Sequence, residues 1–194
     1  MTPQPKKKKY TPEDYLSLEE KAKHRSEYLN GYIFKMAGGS DEHITISFNV
    51  TKILSERLRG KCRAYQSEMK VWVEAVGTFF YPDVTLVCGE RQFYKGKRDI
   101  VENPILLVEV LSDSTKDYDK NDKFLIYQNI ESFQEYVLIS QNKPAVQRFV
   151  RQTDGSWKYL ATIGMDSEVT FESVKITISL SEIYDLVEFE EEIL

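Results

Sequence analysis

The run Ile105-Leu106-Leu107-Val108-Glu109-Val110-Leu111 constrains the fold more than any other stretch of the chain. Six of its seven residues are apolar, so it reads as a buried central strand, well short of the roughly 18 apolar residues of a membrane span. The acid in its middle is the anomaly. An isolated ionised carboxylate in a core is costly, so Glu109 has to be paired, bound to a metal or turned into a solvent cleft.

A second acid sits in a comparable place. Asp83 follows Pro82, which fits a strand's first position or an edge, and opens the apolar run Val84-Thr85-Leu86-Val87. Its distance from Glu109 along the chain suits adjacent strands joined by a surface loop. Were the two strands neighbours, both carboxylates could converge on one divalent cation, and oxygen-only ligands suit Mg²⁺ or Mn²⁺. Spacing alone leaves plainer readings open: Asp83 capping the turn after Pro82, and Glu109 facing solvent or pairing with an arginine.

The surrounding pattern is that of a mixed α/β single domain. Thr11-Pro12-Glu13-Asp14 is a helix start, with a Thr cap, Pro in the first turn and two acids, and the helix is expected to reach about Lys23. Tyr28-Leu29-Asn30-Gly31-Tyr32-Ile33 signals a hairpin turning on Asn-Gly. Ser40 or Asp41 caps a second helix to about Arg59, in which Ile44, Phe48, Ile53, Leu54 and Leu58 recur at helical spacing. Strands are expected through Cys62–Cys88, at Ile105–Leu111, Tyr136–Ile139, Val146–Val150, Trp157–Ile163 and near Lys175–Ile178. A polar turn at Asp113–Asp119, a helix around Phe124–Ile130 and a short helix from Ser181 complete the order.

The chain has 194 residues, 41% of them hydrophobic and 29% charged, which fits one folded domain with a sizeable core. Expected boundaries are a disordered basic tail at 1–9, the domain at 10–187 and an acidic tail at 188–194. The start of the chain has no apolar segment typical of a secretory signal. Two cysteines, Cys62 and Cys88, are read as small buried residues on strands rather than a disulfide, which fits a cytoplasmic location. The net charge of -5 argues against wrapping nucleic acid by bulk electrostatics. Its distribution matters more: Lys6–Lys9 and the loop cations Arg91, Lys95, Lys97 and Arg98 are local basic patches, while six acids crowd the end of the chain.

Several motifs together resemble one family. They are Glu27-Tyr28-Leu29-Asn30-Gly31-Tyr32-Ile33, Met36-Ala37-Gly38-Gly39-Ser40 with His43, and Ser67-Glu68-Met69-Lys70-Val71. Further on come Tyr81-Pro82-Asp83-Val84, Glu109 to Thr115, Asp119…Lys123…Tyr127 and Glu135-Tyr136. Over roughly Tyr10–Leu186 the chain is similar to a large family, abundant in cyanobacteria, whose members carry the label restriction endonuclease. The resemblance implies the PD-(D/E)XK nuclease fold, a mixed central β-sheet flanked by helices, here with additional C-terminal strands. It implies a Mg²⁺-dependent endonuclease acting on DNA, working as a homodimer and away from membranes. Position by position, Asp83 and Glu109 become metal ligands and Glu27 a third acid near the ion.

One departure stands out. Two residues after Glu109, where the superfamily has its catalytic lysine, stands Leu111. Lys123 is the first candidate to replace it and Lys70 the second; the plain reading of Lys123 is a helix lysine paired with Asp119 one turn back. The loss also keeps open a nuclease-fold module that binds nucleic acid or a protein without cutting it. His24 and His43 have no Cys partner at ligand spacing, which argues against a zinc site; His43 is an accessory candidate for phosphate binding or for orienting Glu27, its plain reading being a structural role at a helix start.

Overall fold

A computed structural model describes residues 9–112 and 116–189. Its elements are α1 (Pro12–Glu19), β1 (Ser26–Leu29), β2 (Tyr32–Lys35), α2 (Asp41–Arg57), β3 (Cys62–Gln66), β4 (Lys70–Val73), β5 (Thr78–Phe80), β6 (Val84–Cys88), β7 (Ile100–Val101) and β8 (Leu106–Leu111). Then α3 (Lys116–Tyr118), a π-helical turn (Asp119–Lys123) and α4 (Phe124–Tyr127) run on without a break. The chain continues through β9 (Glu135–Ser140), β10 (Ala145–Arg151), β11 (Trp157–Ile163), β12 (Glu168–Phe171), β13 (Ile176–Ser179) and α5 (Leu180–Ile183).

The fold is the expected mixed α/β arrangement, with its strands divided among three sheets. The central six-stranded sheet has the order β11-β10-β9-β8-β6-β3, parallel only between β8 and β9. A five-stranded sheet runs β2-β1-β5-β4-β7, and β12 and β13 form a separate hairpin. β8 lies inside the central sheet with all six residues buried, as its apolar run demands. Its side chains alternate: Leu106, Val108 and Val110 pack under α2, α5 and the β12–β13 hairpin, whereas Leu107 and Leu111 pack towards the five-stranded sheet and α4. Glu109 belongs to the second set by parity, so it points into the space between the two sheets.

The strongest local signals hold. Thr11 and Asp14 form a reciprocal capping box, with the Asp14 N–H donating to Thr11 Oγ1 and the Thr11 N–H to Asp14 Oδ2. Asn30 and Gly31 both take positive φ, 51° and 87°, as the two-residue hairpin turn requires, and Leu29 pairs with Tyr32 across it. α1 stops at Glu19 rather than Lys23, because the Glu19 carboxylate turns back to accept the Ser26 N–H and the Tyr81 hydroxyl. α2 buries Ile46, Val50, Ile53 and Leu54, but Ile44 and Phe48 face outward. The turn expected at Asp113–Asp119 is helical from Lys116, and residues 113–115 lie outside the described residues. β12 has no counterpart in the expected order.

The cysteine expectation is corrected. Cys62 and Cys88 face each other across the antiparallel pair β3–β6 and are joined as a disulfide. Cross-strand register brings their Cβ atoms within bonding range. Cysteine usage therefore no longer supports a reducing compartment. Among the described residues no helix is long and apolar enough to cross a membrane. Of the basic run, Lys9 lies over the Tyr32 ring, and at the other end Phe189 packs on Tyr184; residues 6–8 and 190–194 lie outside the described residues.

Candidate functional site

The chain crosses from the five-stranded sheet to the central one at Tyr81-Pro82-Asp83, between β5 and β6. At this crossing the two sheets open a cleft of about 920 Å³, whose walls include Glu27, His43, Asp83, Glu109, Asp119 and Lys123. β6 and β8 are neighbours, and the register Val84↔Val108 sets Asp83 opposite Glu109 one step further along each strand. Both carboxylates thus line the cleft, on the adjacent strands that their spacing in the sequence allowed.

Lys123 occupies the middle. Its ammonium lies 3.0 Å from Glu27 Oε1, 3.3 Å from Glu109 Oε1 and 3.3 Å from Asp119 Oδ1, and all four side chains are almost fully buried. The Tyr127 hydroxyl donates to Glu109 Oε1 at 3.2 Å, and the Tyr81 N–H donates to Glu27 Oε1 at 3.3 Å. Asp119, Lys123 and Tyr127 succeed one another every fourth residue, which puts all three on one helix face. The π turn falls on this stretch; widened turns of that kind are common at functional sites.

Asp83 is held from two other directions. Its Oδ2 accepts the Val110 N–H at 2.7 Å, and its Oδ1 lies 2.8 Å from His43 Nε2. His43 stands in the first turn of α2, where Ser40 Oγ caps its backbone N–H. A Cβ on Gly39 would come within 3.0 Å of the His43 ring, so the glycine lets the turn before α2 press against the imidazole.

The charges are unequal. Four carboxylates, from Glu27, Asp83, Glu109 and Asp119, meet one lysine and one histidine. Burial drives the Glu109 pKa well above the ordinary carboxylate range; Lys123 opposes the shift, and Asp119, Asp83 and Glu27 add to it. Burial by itself would lower the Lys123 pKa, but Glu109, Glu27 and Asp119 outweigh it and hold the ammonium protonated well above its usual value. For His43, burial lowers and Asp83 raises, with Asp119 and Gln141 adding to Asp83, and the net shift is upward.

This donor set suits a hard divalent cation. It is all oxygen, buried and over-supplied with negative charge, and Mg²⁺ needs only one or two carboxylates besides water. Among the described residues no three of His, Cys, Asp and Glu enclose a metal position as they stand, because Lys123 fills the space among Glu27, Glu109 and Asp119. Asp83 and Glu109 are the two acids of the set that stand opposite each other on neighbouring strands.

Of the sequence candidates, Glu27, His43, Asp83, Glu109 and Lys123 come together. Lys70 does not: its ammonium pairs with Asp99 at 2.7 Å and lies over the outer wall formed by the Tyr81 ring. Leu111, where the superfamily lysine would stand, is buried in the apolar cluster. Asp119 is the acid the residue candidates omitted. Its signal is the four-residue spacing from Lys123, which the family motif uses to single out the lysine rather than the acid.

A buried carboxylate cluster with one lysine thus lies in a cleft where two sheets of a mixed α/β fold meet, a fold shared with a nuclease-like class of proteins. The chain belongs to the Uma2 family, described as "Putative restriction endonuclease", whose model matches residues 12–181. Two uncharacterized proteins of Synechocystis are similar to it. One is 34% identical, over 86% of this chain and 94% of its own length; the other is 30% identical, over 91% and 92%. A crystal structure from Anabaena variabilis, described as a putative nuclease belonging to DUF820, superposes with a TM-score of 0.74. It covers 90% of this chain and 97% of its own at 18% identity, a likeness of fold.

Proposed function

We propose that the protein is a divalent-metal-dependent endonuclease that hydrolyses phosphodiester bonds of DNA. The observation that carries this reading is the surplus of buried carboxylates around Lys123 at the floor of an open cleft. Asp83 and Glu109 would hold Mg²⁺ or Mn²⁺, with Glu27 as third acid. When bound, the ion polarises a phosphoryl oxygen and lowers the pKa of an attacking water.

The chain's own residues do the positioning. The Val110 N–H and His43 fix the Asp83 carboxylate, and Tyr127 fixes that of Glu109. Lys123, held protonated by its acidic neighbours, supplies positive charge to the attacking hydroxide or to the phosphorane as negative charge builds up during in-line attack. The cleft walls orient the scissile phosphate and limit competing water. Cutting both strands of a duplex calls for two such sites, which a homodimer would provide.

Purified protein is expected to nick or cut plasmid DNA with Mg²⁺ or Mn²⁺ and to lose that activity in Asp83→Ala and Glu109→Ala. Cleavage at the wild-type level in both variants would sink the assignment. A second reading, a module that binds nucleic acid or a protein without cutting, draws on Leu111 in place of lysine. The same assay decides between them, since that module binds but leaves plasmid intact with every divalent ion tried.

A further inference from the structure

α2 carries two apolar stripes at the same helical spacing. Ile46, Val50, Ile53 and Leu54 are packed into the core, whereas Ile44 and Phe48, one turn apart, are 60% and 55% exposed. On β2, the edge strand of its sheet, Phe34 is 52% exposed. Phe34 and Ile44 line the cleft that holds Glu109 and Lys123, and the turn between them packs close, since a Cβ on Gly39 would meet both the His43 ring and Ile44. Large apolar groups exposed at the mouth of a cleft with charged residues at its floor call for a partner with an apolar face.

We propose that this rim seats an unpaired nucleobase against Phe34, with Ile44 beside it, and that the favoured substrate is single-stranded nucleic acid or an unpaired stretch of a duplex. The inference rests on the nuclease reading above and deepens it. A nucleotide has two chemically distinct halves, and the cleft offers something to each. The rim gives an aromatic face for the base, and exposed Lys35, which also lines the cleft, gives positive charge for the phosphate. A paired duplex keeps its base faces stacked inside and would bring phosphates to this rim. Beyond Lys35, the uncharged Phe34, Ile44 and Phe48 would leave such phosphates nothing to pair with. Only an unpaired base has a free π-face to lay on Phe34.

The test uses the full chain with Ca²⁺ in place of Mg²⁺ and three fluorescein-labelled probes of equal length: an oligothymidylate, its duplex with oligodeoxyadenylate, and an abasic strand. Fluorescence anisotropy is expected to show the single strand binding at least about tenfold more tightly than the duplex. Phe34→Ala is expected to weaken the single strand by roughly 5- to 100-fold, the range for losing one base–aromatic stack, and to leave the abasic strand unchanged. Phe34→Trp should keep the affinity, with its new indole emission quenched by the oligothymidylate and not by the abasic strand. Equal affinity for duplex and single strand, or no effect of Phe34→Ala in a protein that still cuts DNA, overturns the stacking seat and leaves the nuclease reading standing. Binding of none of the probes, together with no cleavage under any divalent ion, overturns both. A fall from dimer to monomer on Phe34→Ala in sedimentation would assign the rim to a second copy of the chain and also overturn the proposal.

Discussion

Glu109 on β8 and Glu135 on β9 are buried acids on adjacent parallel strands, yet they are built differently. Glu135 is balanced. Arg148 reaches its Oε1 at 3.3 Å, the Ser173 N–H and hydroxyl donate to its Oε2, and Arg148 also donates to the Thr170 carbonyl. One acid, one base and the β12–β13 hairpin are fastened together, away from the cleft that holds Glu109. Glu109 shares one lysine with two other acids and sits beside a fourth, at a cleft floor. A buried acid with its donors matched holds structure together. One that outnumbers its cations is the kind the proposed function would use to hold a metal ion.

That contrast can be broken most directly by removing each acid. Glu135→Ala strands the Arg148 guanidinium in the core, and urea unfolding should show a loss of about 3–5 kcal/mol with cleavage per folded molecule retained. Glu109→Gln should stay within about 1 kcal/mol of wild type, or exceed it, because it relieves repulsion, while cleavage disappears. Stabilities in the reverse order would mean that Glu109 is the structural acid. Lys123→Met leaves Glu27, Glu109 and Asp119 without a cation. It should cost about 3 kcal/mol in EDTA, with part recovered on adding Mn²⁺, as read by thermal unfolding.

A smaller effect separates His43 from the rest of the group. Its folded pKa is raised, so its contribution is complete below the unfolded value of about 6.5 and is lost as pH rises through the folded value. The stability difference between wild type and His43→Gln, measured in EDTA, should be about 1 kcal/mol near pH 5.5 and fade towards pH 9. A pH-independent difference would mean that the ring only packs. The mildest change is Gly39→Ala, whose methyl must displace the His43 ring; under about 1 kcal/mol of stability should go, with a measurable fall in cleavage rate.

Residue chemistry made much of this legible before any fold was known. Glu109 announced itself by breaking an apolar run, and Asp83 by standing before another; register then made them neighbours. Where two residues share one pattern, the sequence is ambiguous. Ile44 and Phe48 have the same spacing as the buried stripe of α2, and only the docking of α2 on the sheet tells them apart. Lys70 lies on a strand of the right kind, but its strand belongs to the other sheet and its partner Asp99 comes from a loop. The disulfide was missed because compartment statistics say nothing about register, and register alone puts Cys62 opposite Cys88. Asp119 was seen with its lysine but not with Glu27, which lies almost a hundred residues earlier in the chain.

The crossing at Tyr81-Pro82-Asp83 has a consequence for biogenesis. Glu27 is carried by one sheet, Glu109 by the other, Asp83 by the crossing between them, and Asp119 and Lys123 by a helical segment between β8 and β9. A nascent chain therefore holds only scattered acids until both sheets have docked and this segment has closed over them. The group around Lys123 is thus assembled from segments far apart in the chain, and a chain that has not yet folded does not hold the arrangement on which the proposed activity depends.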